Sequence, residues 1–143
     1  MSTPPAELRA QVRAAGLRIT GARVALLAML DAAEAPRSAS ELIVALATEC
    51  DRPTVYRNLA VLREAGLIDE IGRVCGQTWY SSLRLRTDGA AVFICEDCTS
   101  AHMLRAEIAF PDQGWSRSIS HASVLIAGVC PRCLAAREVT LCD

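Results

Sequence analysis

The sequence predicts an α+β protein with an N-terminal winged helix-turn-helix and a small C-terminal α/β unit. Three observations carry that prediction. Helix-period apolar stripes with clear starts fill the first half, and a hairpin pattern follows them. Beyond residue 87 the texture changes to short apolar strands, "AAVFIC" and "HASVLIAGVC". Each of these strands runs into a Cys-x-x-Cys pair.

The elements follow in order. In "TPPAELRAQVRAAG", Thr3 is a candidate cap, Pro4 and Pro5 suit a first turn, and Gly16 is a stop. Thr20 opens "GARVALLAMLDAAE", with Val24, Leu27 and Leu30 on one stripe. In "SASELIVALATEC", Ser38 and Glu41 have capping-box spacing, and Leu42, Ala45 and Leu46 form the inward face. "DRPTVYRNLAVLREAG" is the fourth helix, from the Asp51 cap to the Gly66 stop. Its Val55, Leu59 and Leu62 face inward, which turns Thr54, Arg57, Val61 and Glu64 outward.

"LIDEI" and "TWYSSL" flank the turn-rich "GRVCGQ" and predict a short hairpin. Three helices and a hairpin, preceded by one extra helix, make the winged helix-turn-helix pattern over residues 1–86. Residues 87–143 form the second unit, with a candidate short helix in "PRCLAAREV". A unit this small benefits from a metal staple or a partner subunit.

An apolar content of 52% in 143 residues is ample for packed cores and argues against disorder. The start, "MSTPPAELRAQVR", is polar, and "VALLAML" is too short to span a bilayer, so a soluble cytoplasmic protein with no membrane partner is expected. The net charge of −1 hides an asymmetry: residues 1–86 hold 11 basic groups against 9 acidic ones, and residues 87–143 hold 4 against 7. All 15 basic residues are arginine, the side chain suited to bidentate contacts with phosphate or guanine.

Seven cysteines without an export signal argue against a disulfide scaffold. Cys95 and Cys98, then 31 intervening residues, then Cys130 and Cys133 supply four thiolates, the number that a closed tetrahedral zinc site requires. The rival use is thiol–disulfide exchange, whose motif usually occurs once and opens a helix in a βαβ unit. Here the motif is duplicated and that context is missing, which favours one structural zinc per chain over a thiol enzyme. Cys50 reads as a small buried hydrophobe and Cys142 as a frayed end residue. Cys75, in the hairpin turn near Arg73, reads as exposed, with a reactive role as the alternative.

The fourth helix offers Thr54, Tyr56, Arg57 and Asn58, groups suited to base edges, thymine methyls and phosphates in a major groove. The bland alternative is a solvated helix face. Arg18 and Arg23 flank the start of the second helix and add basic support, as do Arg52 and Arg73.

"AAGLRITGAR", then "PTVYRNLAVLREAGLI", a Cys-x-x-Cys after an apolar strand and a closing H-x8-C-x-x-C together resemble the ferric uptake regulator family of metal-dependent repressors. The likeness runs over nearly the whole chain. It implies a homodimer with a C-terminal dimerisation domain and a double-stranded DNA operator. It also implies that Tyr56 and Arg57 contact DNA, that Arg18 stands where a basic residue reaches the minor groove, and that Cys95, Cys98, Cys130 and Cys133 hold zinc.

Most of the family senses through a second, histidine-rich site. This chain has only His102 and His121. Ala90 and Val92 stand where the family often has His-x-His, Ser81 for a glutamate, Met103 for an acidic residue, and the Ala35-Pro36 region for an interhelix histidine. "GAAVFICEDC" is similar to the zinc uptake regulator branch, whose sensing ligands would fall near Asp69, Ser82, Asp88 and Met103. The usual regulatory site is therefore expected to be missing. A rewired metal or redox sensing site would draw on Asp88, His102, His121 or Cys75, although ordinary polar roles are favoured for both histidines. A zinc-stapled interaction module without DNA binding is the further alternative.

Overall fold

The computed structural model describes residues 3–87, 89–119 and 123–140. The chain divides into two compact units, the first ending at Arg86 and the second beginning at Thr87. In the first, α1 (Pro5–Ala14), α2 (Gly21–Ala32), α3 (Ala39–Ala45) and α4 (Arg52–Glu64) are joined by a sheet of β1 (Arg37–Ser38), β2 (Ile68–Val74) and β3 (Gln77–Ser82). The sheet order is β1-β3-β2, antiparallel throughout. Leu8 and Val12, Leu26, Leu27 and Leu30, Leu42 and Leu46, Val55, Leu59 and Leu62, with Ile68 and Tyr80, form one buried cluster. Each such leucine contributes about 1.5–3 kcal/mol by leaving water, more than the ~1 kcal/mol of a helix cap. Burial therefore decides how each helix is rotated.

The caps set where the helices begin. Ser38 and Glu41 form the reciprocal capping box, and Thr20 and Asp51 accept backbone N–H groups at the starts of α2 and α4. Gly16 and Gly66 follow α1 and α4 with φ of +73° and +68°, the left-handed conformation that ends a helix cheaply only at glycine. Four details differ from the sequence reading. Pro4, not Thr3, occupies the cap position of α1, where its ring offers no acceptor; the Thr3 backbone N–H is directed to Asp31. The third helix ends at Ala45, which is exposed, and turns fill the stretch to Cys50. Thr54 and Val61 are half-buried rather than outward-facing. The hairpin turn is two residues, Cys75 and Gly76, with φ of +51° and +72°, so Arg73 and Val74 belong to the strand. Two positive φ values match the twist of the flanking strands, and a cysteine in the first position gives no sequence hint of them.

Asp31 closes the first unit at its base. It is 7% exposed, accepts the Thr3 N–H at 2.6 Å and pairs with the Arg84 guanidinium at 3.2 Å. Burial pushes its carboxyl up, but the hydrogen bonds from Thr3 and the charge of Arg84 outweigh that and hold it below the usual carboxylate range. An unfolded aspartate titrates near ~3.9, so in the window below that value the unfolded chain binds more protons. The stabilisation is full above that value and is lost as pH falls through the folded pKa. Asp31→Asn is expected to lower the urea midpoint at pH 7, and the gap from the unsubstituted chain should close in acid. A gap independent of pH would contradict the assignment.

The second unit carries β4 (Ala90–Cys95), β5 (Ala101–Arg105), α5 (Gln113–Ser118), β6 (Val124–Gly128) and α6 (Pro131–Thr140). Its sheet order is β5-β4-β6. The β4–β5 pair is antiparallel and the β4–β6 pair parallel, with Cys95 opposite Gly128. Central β4 buries Ala91, Val92, Ile94 and Cys95, as a strand covered on both faces should. Strand β5 had no counterpart in the sequence reading. No helix among the described residues is long and apolar enough to cross a membrane.

Candidate nucleic-acid interface and metal centre

Helix α4 begins where the Asp51 carboxylate accepts the Thr54 N–H at 3.0 Å, with Pro53 in the first turn, where a missing N–H costs nothing. Val55, Leu59 and Leu62 are fully buried. That rotation leaves Arg52, Tyr56 and Arg57 exposed near the N-terminal end of the helix. The Arg52 guanidinium lies 5.7 Å from the Tyr56 ring centroid, within cation–π reach. Arg57 Nη2 donates to Thr54 Oγ1 at 3.2 Å. Both contacts are at the surface, where water or another polar group can replace them. Arg18 is exposed in the segment before α2, and Arg73 is exposed on the hairpin.

Arg23 and Asn58 are engaged inside the fold. Asn58 Nδ2 donates to the Thr54 carbonyl at 2.9 Å, and its Oδ1 accepts from Arg23 Nε at 3.1 Å. Arg23 Nη1 donates to the Arg18 carbonyl at 2.6 Å. Both side chains are half-buried, and together they tie α4 to α2 and to the segment before it. Asn58→Ala is expected to cost about 1–2 kcal/mol of stability in urea unfolding, because it removes two hydrogen bonds and strips Arg23 of a partner. Arg57→Ala, at the surface, should leave the same curve unchanged. Equal curves for both variants would place Asn58 outside the scaffold.

In the second unit the topology explains the cysteines. Strands β4 and β6 run parallel, so their C-terminal ends lie side by side; a turn carries Cys98 past the end of β4, and the first turn of α6 carries Cys133 past Cys130. An antiparallel pair would have put the two turns at opposite ends, about 16 Å apart for five residues. The four Sγ atoms of Cys95, Cys98, Cys130 and Cys133 lie within 4.8 Å of one another. Cys98 and Cys130 are 3.9 Å apart. Zinc–sulfur bonds of about 2.3 Å around a tetrahedron require sulfurs about 3.8 Å apart, so the residues fit that ion.

The local electrostatics agree. The hydrogen bond with the Ser100 hydroxyl, at 3.0 Å, draws the Cys98 thiol down to about 5. Backbone N–H groups of Cys98 and Cys130 hold Cys95 below its usual range, the latter at 3.3 Å from its sulfur. Cys133 is pushed up to about 12 by its hydrogen bonds with Cys130 and Cys98. Negative charge on one sulfur thus opposes charge on the next, and a divalent cation would remove that opposition. Arg137 pairs with Asp97 at 2.5 Å and fastens α6 to the turn between the first two cysteines.

The remaining candidates are dispersed. Cys75 is exposed at the hairpin tip. His102 is exposed on β5, with Nε2 2.9 Å from Ser100 Oγ. The Asp69 carboxylate is paired with Arg86, the Ser82 hydroxyl accepts the Arg84 N–H, and Ser81 and Val92 are buried. Asp88, His121 and Cys142 lie outside the described residues. Among the described residues the four cysteines are the one group of three or more ligand-type side chains. Ser100 escaped the sequence reading, since a serine two residues past a cysteine carries no motif.

Residues 20–71 match a helix-turn-helix domain family. No curated protein matches the chain. Among solved structures, the Vibrio cholerae ferric uptake regulator superposes with a TM-score of 0.67 at 22% identity, over 85% of this chain and 98% of that one. A zinc-bound manganese uptake regulator gives 0.63 at 18%, over 86% and 98%. A zinc uptake regulator complexed with zinc and DNA gives 0.57 at 23%, over 95% and 99%. The chain is thus an α+β protein with an N-terminal helix-turn-helix and a C-terminal four-cysteine cluster. Its fold is that of the ferric uptake regulators.

Proposed function

We propose that the chain is a cytoplasmic, non-enzymatic transcription regulator of the ferric uptake regulator kind. It acts as a homodimeric repressor on a near-palindromic double-stranded DNA operator. In this reading residues 1–86 read DNA and residues 87–143 pair two copies, with one structural zinc in the cysteine cluster of each. The carrying observation is α4: its buried stripe leaves Tyr56 and Arg57 exposed at the end of the helix that enters a major groove in proteins of this architecture. The zinc- and DNA-bound structure with the same fold supports it. Pairing is supported by the apolar side chains that the second unit leaves exposed, among them Leu104, Ile108, Phe110, Trp115 and Leu134.

The regulator works without the family's usual sensing site. Alanine and valine at positions 90 and 92 offer no donor atom, and Asp69 is engaged by Arg86. Selection from random duplex DNA with the zinc-loaded protein should enrich an inverted repeat, bound more weakly as salt rises. No enrichment would leave an interaction module. Metal content before and after mild chelation, measured alongside binding, separates the two regulator readings. One retained zinc with unchanged affinity is expected; a second, exchangeable ion coupled to affinity would identify a metal sensor.

A further inference from the structure

Beside the cysteine cluster lie two polar side chains to which the reading above gives no role. Ser100 Oγ is 3.0 Å from Cys98 Sγ and 2.9 Å from His102 Nε2. A hydroxyl has one proton to give. As a metal ligand Cys98 is a thiolate and can only accept, so the hydroxyl proton goes to sulfur and the imidazole must donate to the hydroxyl oxygen, from His102 Nε2–H to Ser100 Oγ–H to Cys98 Sγ. An oxygen–sulfur separation of 3.0 Å suits donation to a charged sulfur.

Both side chains are held in place. The Ser100 carbonyl accepts the Cys95 N–H at 3.0 Å, which fixes the turn that carries the hydroxyl. His102 is two residues further on, directly opposite Phe93 in the β4–β5 ladder. The two rings lie 6.3 Å apart at 48°. Ser100 immediately precedes β5 and His102 is the second residue of that strand, close enough for the imidazole to reach back to the hydroxyl.

We propose that Ser100 and His102 are positioning residues of the four-cysteine centre, which act in series on Cys98 and set how firmly the centre keeps its metal. A donor aimed at a ligand sulfur fixes its orientation and withdraws part of its charge. The fixed orientation makes the sulfur slower to swing off the ion, and the lowered charge makes it less open to attack by a proton. His102 reaches the sulfur only through Ser100. The proposal rests on the zinc reading given above and goes beyond it to two residues outside the ligand set.

The test uses the full chain loaded with one zinc. Two quantities are read: the rate of zinc transfer to a chromogenic chelator, and the sulfur-to-metal charge-transfer band of the cobalt-substituted protein. Ser100→Ala should speed transfer about tenfold and shift the band, while Ser100→Thr, which keeps the hydroxyl, should stay within about twofold of the unsubstituted chain. His102→Ala should speed transfer less. The double variant should be no faster than Ser100→Ala alone. Unchanged transfer and an unshifted band in Ser100→Ala would overturn the proposal, as would additive effects of the two substitutions. If the unsubstituted chain holds one zinc and Ser100→Ala releases it no faster, only this inference falls. If the unsubstituted chain holds no zinc, the zinc reading falls with it.

Discussion

Cys130→Ser is expected to empty the metal centre and unfold the second unit while the first keeps its helical signal. Cys130 is 4% exposed, its sulfur lies 3.9 Å from that of Cys98, and its N–H donates to Cys95. A serine oxygen in its place is hard and remains protonated at neutral pH, so three soft ligands would be left where four are needed. A structural zinc contributes about 10–16 kcal/mol of apparent folding energy in small domains, more than a unit of this size obtains from its own core. Zinc content should fall from one per chain to none, and light scattering should show the loss of the dimer. Circular dichroism should keep the signal of α1 to α4, which have their own buried cluster. A variant that stays dimeric and fully folded without metal would remove the staple from the account.

Arg57→Ala is the second large effect, and it leaves fold and zinc content alone. One arginine contact with a phosphate or a base edge carries about 1–3 kcal/mol, so losing one in each copy of a dimer should weaken operator binding by roughly thirtyfold to ten-thousandfold. Arg57→Lys distinguishes the two kinds of contact. A phosphate contact is largely restored by the lysine charge; a bidentate guanine contact is not. Affinity in a gel shift that does not change in Arg57→Ala would refute the assignment of α4 as the reading helix.

What the sequence revealed well was local. The inward face of α4 and the Ser38–Glu41 capping box depend on residues three to seven apart, and a helix imposes those relations wherever it forms. The doubled cysteine pair was legible because four sulfurs near one point have few other uses. What stayed hidden depends on distant contacts. The Arg23–Asn58 bond spans 35 positions and engages two groups that look free on a helical wheel. Ala45 lies on the expected face, but the helix stops there and the side chain meets solvent. The direction of β6 relative to β4 leaves no mark in either strand; only the placement of cysteines after both of them implies it.

That parallel arrangement has a consequence for how the molecule matures. A parallel neighbour cannot be reached by a tight turn, so the chain must travel through β5, α5 and the stretch to Val124 before β6 can dock. A ribosome therefore delivers the first unit well before Cys130 and Cys133 emerge, and a waiting pair at Cys95 and Cys98 cannot complete a cage without them. Availability of the ion at that late moment would decide whether a new molecule gains a mate or meets a protease. Under the proposed function, scarcity would then lower the number of working regulators through their assembly.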